Sequence, residues 1–74
     1  MKQRILTLLE NELPTVDWTS QFLFSEMDSL AVTTVLAILS DKFGIQLGSE
    51  DATPKNFMTI DSLVNLVETK LKEK

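Results

Sequence analysis

The sequence predicts an all-α fold: a small four-helix bundle, three main helices plus one short one, with a long first loop. Two observations carry that prediction. Apolar residues recur at intervals of three and four in three separate segments, the spacing of one helical face. Period-two alternation is confined to Ile45-Gln46-Leu47, too short to build a sheet.

The first helix is expected over Lys2 to Leu13. Ile5, Leu6, Leu8, Leu9 and Leu13 form its apolar stripe, with Gln3, Arg4, Thr7, Glu10 and Glu12 opposite. Pro14 ends it, because proline cannot continue the ladder and restricts the residue before it. Thr15 to Met27 then reads as a connection long for so short a chain. Val16, Trp18, Phe22, Leu23 and Phe24 are expected to pin it across the helices, with Trp18 and both phenylalanines in structural roles.

The second main helix is expected over Ser29 to Phe43. Asp28 is its N-cap, with a carboxylate able to accept from a first-turn N–H. Gly44 is its left-handed C-terminal residue. Ile45 to Leu47 is a short extended link, and Gly48-Ser49 turns the chain. A short helix or turn is expected over Glu50 to Asn56, strained by Pro54. The last helix starts at an N-cap Thr59. Ile60, Leu63, Leu66, Val67 and Leu71 make its stripe, and Phe57 is a plug just before it. Asp61 suits the positive end of its dipole; Lys70, Lys72 and Lys74 suit the negative end. The last residues are expected to fray.

Composition bounds the function. The 74 residues are read as one domain, and such a chain buries only about 60% of its unfolded surface, leaving no depth for a catalytic cleft. There is no Cys, His or Tyr. The chain therefore supplies no thiolate or imidazole as nucleophile, near-neutral base or metal ligand. No metal site is expected: Glu50 and Asp51 are adjacent, do not share a helix face and lack calcium-loop spacing. The net charge of −4 disfavours nucleic acid, whose binding rests on Lys and Arg. The apolar runs are too short for a signal segment or a membrane span, so the expectation is a cytoplasmic monomer with no stable membrane insertion.

Asp-Ser-Leu occurs twice, at 28–30 and 61–63. Ser62 should lie within the first turn of the last helix, facing solvent. Ser29 should lie at the junction of the long loop and a helix start, where a substituent projects freely. Unpaired N–H groups and the dipole there favour an attached anion.

In order, the long loop, Asp28-Ser29-Leu30, the apolar helix, Phe43-Gly44-Ile45-Gln46-Leu47, Glu50-Asp51, Phe57-Met58-Thr59-Ile60 and Leu63-Val64 resemble an acyl carrier protein over nearly the whole chain. The resemblance implies an up-down bundle that is not an enzyme. It implies 4'-phosphopantetheine attached to Ser29 through a phosphodiester, with Asp28 and Leu30 as motif neighbours. The arm's thiol would hold acyl groups as thioesters for fatty-acid, polyketide or other specialised lipid pathways. Its partners would be a phosphopantetheinyl transferase and acyl ligase, transferase and synthase enzymes, and the helical core would shelter the acyl chain. Two features depart from the fatty-acid-synthesis pattern. Ser25-Glu26-Met27 stand where a glycine is usual, and Leu30 to Ser40 carries no charge where acids are common. They point to a specialised carrier with a dedicated ligase or transferase. Aspartate before the serine, where peptidyl carriers often have histidine, leans toward acyl cargo. The alternatives are a peptidyl or aminoacyl carrier and an acidic helical interaction module.

Overall fold

The computed structural model describes residues 1–73, so Lys74, placed above in the last helical turn, lies outside the described residues. Helix α1 spans Lys2–Glu12, α2 Leu23–Glu26, α3 Ser29–Phe43 and α4 Ile60–Glu73, with a 3₁₀ turn at Ser49–Asp51. Among the described residues there is no strand. The bundle is therefore the expected all-α one, with α4 packed against both α1 and α3.

Helix α1 stops one residue before the expected end. Leu13 leaves helical geometry at φ −133° and ψ 71°, as proline's preceding residue must. Its carbonyl accepts from Trp18 Nε1 at 3.0 Å. That bond satisfies a helix-end acceptor and the buried indole's polar end together. Trp18 and Leu23 are buried, but Phe22 is 69% exposed. The expected structural role of Phe22 is thus overturned. Phe24 is exposed too, at 36%, though its ring stands edge-on to Phe57 at 6.3 Å. In the same loop Asp17 accepts from the Thr19 hydroxyl and N–H. Those two bonds, the hydroxyl's foremost, hold its carboxyl below the usual carboxylate range.

One helical turn that was not expected forms at Leu23–Glu26, inside the first loop. Residues 50–56, expected as a short helix or turn, hold the end of the 3₁₀ turn, followed by a turn closed by Phe57 N–H on Thr53 O at 3.0 Å. Asp51 organises this segment. It is buried, accepts from Gly48 N–H at 3.1 Å and pairs with Lys70 at 3.5 Å. Local hydrogen bonding to one acid closes the chain here before a longer helix can start.

Caps fall where expected in α3 and α4. Gly44 has φ 62° and ψ 37°, the left-handed region glycine enters without penalty. Thr59 Oγ1 accepts from Ser62 N–H at 3.2 Å. Ile60, Leu63, Leu66 and Val67 are buried, and so is Val64, outside the expected stripe. Phe57 is completely buried, as the plug reading requires. The core joins Ile5 and Leu9 of α1, Val35 and Leu39 of α3, and Leu63 and Val67 of α4 around Phe57. Asp61, at the dipole's positive end, also meets Lys2 at 3.0 Å; both are exposed, so the pair contributes little.

Candidate functional site

Three anchors place Ser29. Leu23 and Met27 are buried at either end of the short connection leading into α3. Leu23 N–H donates to Met58 O at 2.9 Å, tying α2 to the segment before α4. Between α2 and α3, Met27 and Asp28 are extended, at ψ 139° and ψ 178°. Past them α3 begins at the surface, with Asp28 and Ser29 exposed.

Asp28 caps α3 as expected: its Oδ1 accepts from Ala31 N–H at 2.8 Å, while its carbonyl accepts from Val32 N–H at 3.0 Å. Asp28→Ala is expected to cost about 1 kcal/mol, the usual worth of an N-cap, read as a lower urea midpoint. Ser29 follows as the first helical residue. Asp28, Ser29 and Leu30 are all exposed, Leu30 at 74%. Among the described residues the Ser29 hydroxyl and the Ser29 and Leu30 N–H groups have no hydrogen-bond partner. A free hydroxyl beside unpaired first-turn donors suits a phosphodiester, because those donors and the helix dipole stabilise its negative charge.

The second Asp-Ser-Leu differs. Ser62 is half-buried, not solvent-facing as expected, and its hydroxyl lies 3.3 Å from Thr59 Oγ1. The cap that starts α4 draws this serine inward.

Beside Ser29 lies a cleft of about 390 Å3. Phe24, Met27, Val32, Leu36 and Ala52 give it an apolar lining, and Ser29, Thr33 and Ser49 add hydroxyls. Ser49 comes from the distant 3₁₀ turn and Ala52 from the residue just after it, and no local signal marks them. Thr33 and Thr34 donate their hydroxyls back to Ser29 O and Leu30 O, at 2.9 and 2.8 Å. With those hydroxyls spent internally, Leu30, Thr33 and Ala37 give α3 an uncharged, largely apolar outer face as far as Ser40.

Such a bundle, with an unencumbered serine at a helix mouth and no imidazole in the chain, has the form of a carrier on which a prosthetic arm is mounted. The family model described as phosphopantetheine attachment site matches residues 1–68, and the chain belongs to that family. Its members bind 4'-phosphopantetheine covalently on a serine and are non-catalytic carriers that work with modifying and biosynthetic enzymes. Comparisons with curated proteins and with solved structures returned no significant match. No helix among the described residues is long and apolar enough to cross a membrane.

Proposed function

We propose that the chain is an acyl carrier protein whose 4'-phosphopantetheine is joined to Ser29, with Asp28 and Leu30 as the flanking recognition residues. The observation that carries this reading is the contrast between the two serines. Ser29 is exposed with a free hydroxyl beside two unpaired first-turn N–H groups, whereas Ser62 is half-buried against Thr59. The arm supplies the thiol that the sequence lacks and holds cargo as a thioester. The chain's own residues hold the arm's phosphate at the α3 N-terminus and present Leu30 to the enzyme that attaches it. In this role residues 1–74 act as one monomeric, cytoplasmic carrier domain. Coexpression with a phosphopantetheinyl transferase tests the site. The expected product is one added phosphopantetheinyl group, mapped to the peptide containing Ser29. Its appearance on the peptide containing Ser62, or on neither, overturns the assignment.

Partner recognition follows from α3. Its outer face carries no charge from Leu30 to Ser40, so its partner is a dedicated acyl ligase or transferase that docks through apolar contacts. Binding of the modified protein to that enzyme is expected to change by less than about threefold between low and physiological salt, since screening acts on charges. A steep fall with salt would instead assign recognition to flanking acids such as Glu26, Asp41 and Glu50.

A further inference from the structure

Between α1 and the last turn of α3 lies a cleft of about 470 Å3. Leu8 and Phe43, both half-buried, give it an apolar lining, and Gln3, Thr7 and Asn11 add neutral polar groups. The charged side chains on it are Arg4 and Lys42, both cations and both exposed. None of the chain's 11 acidic residues lines it, although the net charge is −4. Among the described residues neither cation has an acid within ion-pair distance. Lys2 and Lys70, by contrast, are paired with Asp61 and Asp51.

The fold alone gives no reason for Arg4. It lies in the first turn of α1, where the positive end of the helix dipole disfavours a cation. No acid stands in that turn, and no side chain caps the helix start. Lys2 shares the turn, but Asp61 neutralises it. Lys42 is different, since a cation suits the last turn of α3. The guanidinium of Arg4 lies over the Phe43 ring, 5.8 Å from its centre. Such stacking restrains a long side chain and leaves its N–H fork free for a carboxylate. A charge unfavourable to its own helix, oriented beside a second cation, is the kind of local conflict that marks a binding surface.

The shape suits a segment better than a single ion. Gln3 to Asn11 follow one face of α1 over about 12 Å, at 1.5 Å per residue. An extended chain of about four residues covers that length. Two cations are too few to hold nucleic acid or an anionic membrane. Phe43 ends α3 and Ser29 begins it, so an occupant of this cleft leaves the serine clear. We infer that the cleft docks an acidic, partly apolar segment of a partner protein other than the enzyme seated on the outer face of α3. Carboxylates of the segment meet Arg4 and Lys42, and an apolar side chain between them lies against Leu8 and Phe43. An acid beside Arg4 also supplies the negative charge that the start of α1 lacks.

The inference does not rest on Ser29, and its test uses the unmodified, isotope-labelled chain. The probe is an acetylated, amidated peptide of alternating glutamate and leucine, followed by amide NMR. Saturable shifts are expected at Arg4, Thr7, Leu8, Asn11, Lys42 and Phe43. The same peptide with glutamine in place of glutamate should bind at least about fivefold more weakly, the worth of two exposed ion pairs. Arg4→Gln and Lys42→Gln, both at exposed positions, should each weaken the glutamate peptide by about threefold. Arg4→Lys should recover only part of the loss, because lysine keeps the charge without the fork. Affinity should fall as salt rises. No shift at millimolar peptide, equal binding of the glutamine peptide, or shifts centred on another face would overturn the inference. Inorganic phosphate producing the same shifts at the same concentration would make this a simple anion site and equally overturn it.

Discussion

Ser29→Ala is expected to abolish phosphopantetheinylation completely, while Ser62→Ala leaves it at the wild-type level. The modification is all-or-none because it needs an oxygen able to form the bond to phosphorus, and alanine has none. The fold should not register the change. Ser29 is exposed, and its hydroxyl has no partner among the described residues. Alanine is a good helix former at the same position. The stability change should stay within about 0.5 kcal/mol, as for surface substitutions away from special features. Intact mass reads the first outcome, and circular dichroism with urea unfolding reads the second. Modification persisting in Ser29→Ala would move the site elsewhere. A large loss of helicity would show that the residue is structural.

The second large effect is on stability. Leu39 is completely buried in α3 and belongs to the cluster that joins α1, α3 and α4. Leu39→Ala removes that apolar contact and leaves a cavity, at a cost of about 2–5 kcal/mol. A chain of this size holds only roughly 4–11 kcal/mol in total, at the usual stability per residue. The urea midpoint should therefore fall by about 2 M or more, taking a slope near 1 kcal/mol per M. Leu30→Ala is the matched control. The same atoms are removed from a side chain that is 74% exposed, so the midpoint should hardly move. An unchanged midpoint for Leu39→Ala would mean that α3 does not pack as described.

How much of this was legible in sequence depends on the range of the interaction involved. Asp28, Gly44 and Thr59 act on backbone within a few residues of themselves, and each caps its helix as read. Ile5 with Leu9, Val35 with Leu39, and Leu63 with Val67 sit on helical stripes, and each pair is buried. Phe22 and Trp18 show the limit. Both are large aromatics in the same loop, yet one is 69% exposed and the other 2%. Trp18 finds a helix-end carbonyl at Leu13 for its N–H. The side chain of Phe22 stays outside because Leu23, whose N–H is held by Met58 O, takes the buried place beside it. No spacing rule separates these two fates.

For the candidate site the division is the same. An exposed serine behind an N-capping aspartate, followed by an uncharged amphipathic helix, was determined by the sequence itself, because caps and stripes are set by neighbours along the chain. Tertiary structure alone decided that α2 forms inside the first loop and that Ser49 and Ala52 complete the cleft beside Ser29. It also decided that Ser62 turns inward and that Phe22 and Met58 line one depression. Each of these joins residues far apart in the chain or sets an irregular segment against a packed core. Their positions follow from which surfaces are left once the helices have buried their stripes.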